Sequence, residues 1–310
     1  MAGYNLIILQ VPGRQQVSDF MTIRNMMAGR AADIEVHIIS TAVPVPPEFW
    51  RRVAERPTLI FSAMPIRLDS QYRGARLIPS DRAKLEEIEM LQRAGFPVPD
   101  TRKITQDLVL DEAAWGPFTV VKPNVGYRGR GIRLVRTRHV RWSDTSAVPA
   151  DDPRHGRDLL AQRYIHTGDY ASCYRVMTVL GRPIYAMVSL ASEKLGPIDA
   201  VGGDAIELEV AVNGADRKLV LVDDEEVIAL ATAVSGKFVQ VPVMGIDIVR
   251  EQETGRLYVL EMNSSGRTWH LSSDHGLGHQ RDYGLDFYGQ FNALGTITDA
   301  LIEATRRMAK

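Results

Sequence analysis

One cysteine, Cys173, is all that the 310 residues contain, which excludes an intrachain disulfide and a thiolate metal cluster alike. A charge of one sign is also missing, since 37 Lys and Arg against 38 Asp and Glu leave a formal net charge of −1. That balance gives no support for a nucleic-acid partner or a membrane surface, and neither is expected. No apolar run approaches the roughly 20 residues that cross a bilayer. The short run from Leu6 to Leu9 has no cationic segment ahead of it. It reads as a first strand, not a leader, and a cytoplasmic protein is expected. Two well-known glycine signatures, GxxxxGK[ST] and GxGxxG between strand and helix, are absent as well. What remains, at 45% hydrophobic and 24% charged residues, is a globular chain long enough for two or three domains.

Taken in order, YNLIILQ, a helical stretch near Val17 to Ala28, IEVHII and TLIFSA alternate strand and helix, which predicts a small α/β unit with a mainly parallel sheet. The proline-rich TAVPVPPEFW reads as an irregular surface connection. Arg82 to Ala94 follows with Leu85, Ile88 and Leu91 at helical spacing; Ser80 or Asp81 is the expected N-cap, and Gly95 with FPVP is a stop. Lys84 falls in the first turn, where the helix dipole disfavours a cation unless an anion is near. A solvated lysine is the plain alternative.

Thr119 to Arg136, TVVKPNVGYRGRGIRLVR, reads as strand, glycine loop, strand. Gly126, Gly129 and Gly131 allow a sharp turn and a close backbone approach, so that N–H groups can face phosphate oxygens. Lys122 supplies a point charge beside them. An ordinary hairpin with a Gly/Arg-rich tip has the same signature. Beyond it, the polar segment SDTSAVPADDPRHGRD is a loop or mobile insert. Asp158 to Ile165 is a strand ending in the turn His166 to Asp169, and Tyr174 to Leu180 with Pro183 to Leu190 form a hairpin. A short strand is expected at Ile206 to Val212, and a helix from Asp223 to Phe238.

Gly245 to Arg250 and Leu257 to Asn263 read as strands joined about Thr254-Gly255 and paired antiparallel. A turn centred near Thr254 puts Asp247 opposite Glu261, with Asn263 two residues on and on the same face. Like charges directly opposite are destabilising. A divalent cation would reconcile them, because Mg²⁺ takes hard oxygens from one or two carboxylates and fills its other positions with water and phosphate. A solvated charged face is the alternative.

A lysine helix followed by AGFPVP, a strand ending VVKP before a glycine loop, a GDY turn after QRYI, and the GIDIV…VLEMNSSG hairpin together resemble the ATP-grasp enzymes. Glutathione synthetase, the ribosomal S6 glutamate ligases and D-alanine–D-alanine ligase are the nearest in look, over roughly residues 80 to 270. The resemblance implies an α/β (α+β) fold: an N-terminal parallel-sheet domain at 1–79, then two α+β subdomains clasping ATP, a central lid at 80–165 and a C-terminal part with the metal site at 166–310. It implies that Lys84 and Lys122 contact ATP phosphates under the loop of Gly126, Gly129 and Gly131. Gln162, Arg163, Tyr164 and Ile165 would form the adenine hinge, and Asp169 would take the ribose. Asp247, Glu261 and Asn263 would hold Mg²⁺, with Mn²⁺ as an alternative ion. Lys122, Arg175 and Arg267 are the implied catalytic residues, Arg267 meeting a substrate carboxylate. The family's Asp-x-Arg after the hinge stands here as Cys173-Tyr174-Arg175, which divides the ribose assignment between Asp169 and some other group. Lys194 is a candidate for the γ-phosphate.

The activity implied is ATP-dependent ligation of a carboxylate to an amine or other nucleophile through an acylphosphate, releasing ADP and phosphate. The substrates would be small molecules or a peptide, and a homo-oligomer is left open. A small-molecule kinase on the same scaffold and a non-catalytic nucleotide-binding protein are the alternatives. His270, His275, His279 and Arg281 follow the hairpin; they can line the same cleft but have no metal-ligand spacing, and read as loop residues.

Overall fold

The computed structural model describes residues 3–70, 72–126, 129–194, 205–206, 217–263 and 269–310. Three sheets carry the architecture. The first has four parallel strands, β1 (Tyr4–Gln10), β2 (Ile34–Ser40), β3 (Thr58–Ser62) and β4 (Ala75–Leu77), in the order β2-β1-β3-β4. Leu6 to Leu9 are fully buried without alternation, as in a parallel strand covered on both faces. Helix α1 (Val17–Arg30) packs Phe20, Ile23 and Met27 on one face. The connection expected to be irregular contains a helix, α2 (Pro47–Val53). Proline fits its first turn, where no N–H is needed, and Trp50 and Val53 cover Ile7, Leu9 and Ile60.

Helix α3 (Lys84–Arg93) begins later than the sequence implies, with Ala83 at the N-cap and no side-chain cap from there. Neither Ser80 nor Asp81 is the cap. The first N–H groups are satisfied from a distance: Lys84 N donates to Asn124 O at 3.0 Å and Leu85 N to Asn124 Oδ1 at 3.0 Å. The helix start is thereby fastened two residues beyond Lys122.

The second sheet comes from β5 (Thr101–Lys103), β6 (Phe118–Pro123), β7 (Arg133–Arg136) and β8 (Leu159–Arg163), with the short helix α4 (Glu112–Trp115) beside it. Its strands pair antiparallel, in the order β7-β6-β8-β5. It has a small core of its own, in which Ile104, Trp115, Val121, Val140 and Ala161 meet.

The third sheet is built on the hairpin β9 (Ser172–Val179) and β10 (Arg182–Ala191). A two-residue strand, β11 (Ala205–Ile206), crosses to pair with β7, and most of the strand expected at Ile206 to Val212 lies outside the described residues. Strands β12 (Arg217–Leu221), β13 (Val243–Arg250) and β14 (Leu257–Asn263) complete the order β12-β10-β9-β13-β14. Helix α5 (Glu225–Lys237), capped by Asp224 on Val227 N, covers one face, packing Val227, Ala231 and Val234 on Val176, Ile246, Ile248, Val259 and Met262. Period-two alternation then sends Arg175, Asp247 and Glu261 to the other face. No helix among the described residues is long and apolar enough to cross a membrane.

Helices α6 (Asp274–Tyr283) and α7 (Ala293–Met308) end the chain. Helix α7 returns to the first sheet: Ile297 and Leu301 share a core with Leu6, Phe20, Tyr185 and Trp269, and Thr58 N donates to Lys310 O at 2.9 Å. One buried carboxylate fastens the same junction. Asp19, 4% exposed, accepts from Trp269 Nε1 at 2.8 Å, Ser272 Oγ at 2.6 Å and Tyr288 OH at 2.9 Å. Removing it strands three donors in a water-poor interior. Asp19→Ala is expected to lower stability by about 3 kcal/mol and Asp19→Asn by less, read from denaturant midpoints. A loss under about 0.5 kcal/mol for the alanine variant, the range of an ordinary surface change, would show that the three contacts carry no weight.

Candidate functional site

A cleft of about 660 Å³ lies among the three sheets, lined from the second by Lys122, Gly126, Gly129 and Gln162, and from the third by Arg175, Asp247, Glu261 and Asn263. Strand pairing brings the acidic hairpin together as its spacing implies, with Asp247 opposite Glu261. The register shifts immediately beyond this pair, where Ile248 faces Val259. The extra residue is Leu260. A bulge of this kind re-aims side chains, and here it lets Leu260 and Glu261 both line the cleft while Val259 and Met262 stay in the core beneath α5.

The conflict of facing carboxylates is answered by two cations. Arg175, opposite Asp247 on β9, makes a two-pronged bond to it, Nε to Oδ1 at 2.7 Å and Nη2 to Oδ2 at 2.6 Å. Lys84 Nζ donates to Glu261 Oε2. Burial is the largest influence on both acids and pushes both upward. At Glu261 the ammonium groups of Lys84 and Lys122 outweigh it and hold the carboxyl at about 2. At Asp247 burial, with Glu261 alongside, prevails over Arg175, and its pKa is raised.

Asn263 donates Nδ2 to Gly245 O at 3.2 Å and to Asp247 Oδ2 at 3.1 Å, which leaves its amide oxygen as the group available to a ligand. Two carboxylates and one amide oxygen form a hard donor set that suits Mg²⁺ retaining several waters. Among the described residues no three His, Cys, Asp or Glu side chains form a metal-holding group. The donor set therefore fits an ion shared with a ligand, not a closed protein cage.

Lys122 is 5% exposed and donates to Gln162 Oε1 at 2.9 Å, while Gln162 Nε2 donates to Thr101 Oγ1 at 3.0 Å. The glutamine is thus spoken for by the lysine. It sits inside β8 with ladder partners on both sides, Val120 and Thr101, so its backbone is not an open hinge edge. Tyr164 and Ile165 lie past the strand end and line the cleft with the apolar Val120, Ile132, Val249 and Leu260. Arg163 lines it too, with its guanidinium turned to Glu251 at 3.4 Å and its backbone N–H on Asp100 O.

Gly129 and Gly131 take φ of +69° and +78°. At Gly131 a side chain is doubly excluded, because a Cβ would sit 3.0 Å from Pro153 and 3.1 Å from Pro123. The polar insert therefore packs on the loop, and Arg157 adds a bond to Val125 O.

Asp169 is exposed, paired with Lys194 at 2.9 Å, and is not part of the cleft lining. Neither side chain reaches the Lys122 region in this structure. Arg267 lies outside the described residues. His270, His275 and His279 do line the cleft, but two of them stand on α6 and not in a loop. Ser273, whose hydroxyl caps Gly276 N at 3.2 Å, is the helix signal that Gly276 and Gly278 obscure. Arg281 points elsewhere, pairing with Asp282. Arg14, Arg217 and Trp269 also line the cleft, without any motif to mark them.

Burial pushes the Lys122 ammonium down to about 8. It is charged below that pH and neutral above it, so an anion attracted by this lysine loses the attraction as pH rises through about 8. Methyl-labelled lysine NMR on the free protein is expected to show one titration near pH 8, moved lower by Gln162→Met, which removes the acceptor of the charged form. A Lys122 signal titrating near the ordinary lysine value of about 10.4 would contradict the burial argument.

No family model matches the chain. A tetrahydromethanopterin:α-L-glutamate ligase of Methanosarcina acetivorans is 28% identical over 166 residues, 52% of this chain and 47% of that protein. The chain thus spans about half the length of the curated relative it matches. Among solved structures, the ATP-grasp ligase PsnB, complexed with a phosphomimetic variant of its minimal precursor, Mg and ADP, aligns with a TM-score of 0.50 at 15% identity, over 98% of this chain and 100% of that one. D-Alanine–D-alanine ligase from Bacillus anthracis aligns at 0.46 and 15% identity, over 99% and 98% of the two chains. The likeness to PsnB shows that this chain has the ATP-grasp fold.

Proposed function

We propose that this ATP-grasp chain is an ATP-dependent ligase that joins a carboxylate to an amine, with ADP and phosphate as the other products. The observation that carries the reading is the pair of facing groups across one cleft, the buried Lys122 ammonium under a glycine loop on one sheet and Asp247, Glu261 and Asn263 on another. The glutamate ligase named among the relatives supports the same chemistry.

Lys84, Lys122 and the N–H groups about Gly126, Gly129 and Gly131 would hold the phosphates, and the apolar patch of Val120, Ile132, Tyr164, Ile165 and Leu260 would take the adenine. Asp247, Glu261 and Asn263 would hold Mg²⁺, with Mn²⁺ the alternative ion; such an ion neutralises charge developing on the transferring phosphoryl group. Arg175 keeps Asp247 in place and adds positive potential. The substrate carboxylate oxygen attacks the γ-phosphorus and ADP departs. The amine nitrogen then attacks the acyl carbon, phosphate leaves, and the nitrogen gives up its proton. An acylphosphate is destroyed by water, so the glycine loop and the insert of Pro153, Arg154 and Arg157 packed on it serve as the cover. On this reading residues 80–165 form the lid, 166–310 the metal-bearing part and 1–79 a wall for the acid substrate. Asp169, between the lining residues Thr167 and Ala171 and paired with Lys194, would have to exchange that lysine for the ribose hydroxyls to serve as the ribose group.

Lys122→Ala is expected to weaken ATP binding at least tenfold, about 1.4 kcal/mol, measured by calorimetry on the folded variant. Glu261→Gln should lower metal affinity and turnover while leaving the fold intact. The reaction type is read from a screen of paired carboxylates and amines for ADP release. Slow release with the acid alone, strong stimulation by the amine, and ¹⁸O passing from carboxylate to phosphate are expected. A stable phosphorylated product without any amine would mean a kinase, and AMP with pyrophosphate would remove both readings.

A further inference from the structure

The four-stranded sheet meets the cleft at one place, where β1 and β3 lie side by side in the order β2-β1-β3-β4. Helix α1, which follows β1, packs with Leu6, Ile8, Leu59 and Phe61 on one face of this sheet. The segment after β3 goes to the other face, where Ile66 and Leu68 pack with Ile7, Leu9 and Ile60. The chain therefore leaves the carboxyl ends of two adjacent strands in opposite directions, which opens a crevice between them. In open parallel sheets that crevice is where ligands bind. The first sheet's share of the cleft lining comes from these two ends, Gly13 and Arg14 beyond β1 and Met64 beyond β3.

The loop that carries Arg14 is fastened at several points. Arg14 N donates to Val11 O at 3.1 Å, Gln10 Nε2 to Gln15 O at 2.8 Å, Val11 N to Gln15 Oε1 at 3.0 Å, and Gln16 N to Ser272 Oγ at 3.0 Å. The Arg14 side chain takes no part in this. It is exposed on the cleft wall and makes no hydrogen bond or ion pair among the described residues. Other cations of the lining are already engaged: Lys84 with Glu261, Lys122 with Gln162, Arg163 with Glu251, Arg175 with Asp247 and Arg217 with His279. Arg130 stands on the glycine loop, on the phosphate side. Asp274 also lines the cleft, but it lies in the first turn of α6, where the helix dipole answers its charge. The loop has one more donor to spare. Gln15 is 4% exposed; its Oε1 is held by Val11 N, and its buried Nε2 has no partner among the described residues. Ordering of the loop is complete before a ligand arrives, so that cost does not weaken binding.

We propose that Arg14 binds a carboxylate that a substrate carries but does not react through. The guanidinium fork matches a carboxylate with two parallel bonds. Both oxygens are then engaged, so the gripped group is not the one that attacks the γ-phosphorus beside Lys84 and Lys122. It is the second acid group of the acid substrate or the acid group of an amino acid serving as the amine. Its role in a substrate rests on the ligase reading; the subsite itself rests on Arg14 and the crevice.

Protein with ¹⁵N-labelled arginine, a non-hydrolysable ATP analogue and Mg²⁺ is titrated with two pairs that differ in one acid group, succinate with succinamate and alanine with alaninamide. The Arg14 Nε–H signal, identified by its loss in Arg14→Gln, is expected to move with the acid of a pair and not with its amide. Movement by succinate assigns the carboxylate to the acid substrate, and movement by alanine assigns it to the amine. Calorimetry should show that acid weakened about tenfold or more by Arg14→Gln, as the loss of a charged hydrogen bond implies, and less by Arg14→Lys. A signal unmoved by either acid, equal movement by acid and amide, or wild-type affinity in folded Arg14→Gln would each overturn the subsite. ADP release tests the ligase separately. A moved Arg14 signal with no acid and amine pair stimulating release keeps the subsite and removes the ligase, whereas stimulated release with KM unchanged by the loss of Arg14 does the reverse.

Discussion

A buried ammonium, Lys122, facing one buried and one half-buried carboxylate, Asp247 and Glu261, is the constraint on which the arrangement of the sheets depends. None of these charges is tolerable alone, since an unpaired buried ion costs several kcal/mol. Each has therefore been given a partner on a different element. Gln162 on β8 receives Lys122 from β6; Arg175 on β9 grips Asp247 on β13; Lys84 on α3 reaches Glu261 on β14. The last contact, with Asn124 capping α3, ties the glycine-loop strand to the carboxylate hairpin through one helix. Moving any one of these elements would leave a charge without its counterpart, so the same pairs that make burial tolerable also fix the cleft.

The carboxylate hairpin was legible in the sequence because two local signals agree on it. Alternation fixes which residues share a face, and a Gly at positive φ, Gly255 at +70°, fixes where the chain reverses. The bulge at Leu260 could not be read, since nothing local distinguishes a strand with one extra residue from a regular one. It is nevertheless what makes the register of the turn compatible with Asp247 facing Glu261. Lys84 and Lys122 were found by motif, but their partners were not. The resemblance puts Gln162 in the hinge, whereas the side chain that decides its task, Lys122, stands diagonally across the ladder and is brought there by the pairing of β6 with β8.

The misses have the same origin. Ser80 and Asp81 satisfy the local rule for an N-cap, yet Asn124 does the capping because it is brought there by β6. Helix α2 begins with the prolines that mark a loop, and only its buried Trp50 shows the difference. In α6 two glycines lower helix propensity, so His275 and His279, four apart and on one face, look like loop residues until Ser273 is seen to cap them. The return of α7 to the first sheet has no local signature at all, because its apolar face could have packed against any sheet.

Charge balance links the two ends of the cleft. Lys84, Lys122 and Arg175 set against Asp247, Glu261 and the buried Glu87 beside the two lysines leave no surplus positive charge for a nucleoside triphosphate. A divalent ion on Asp247, Glu261 and Asn263 narrows that deficit, and Lys84, already in contact with Glu261, is the cation best placed to exchange a carboxylate for a phosphate when the ion arrives. An acid substrate entering afterwards adds negative charge to a site that has used its cations. It needs a positive group of its own, held apart from the phosphates and not already neutralised by the carboxylate row. Arg175 cannot be that group while both of its prongs hold Asp247.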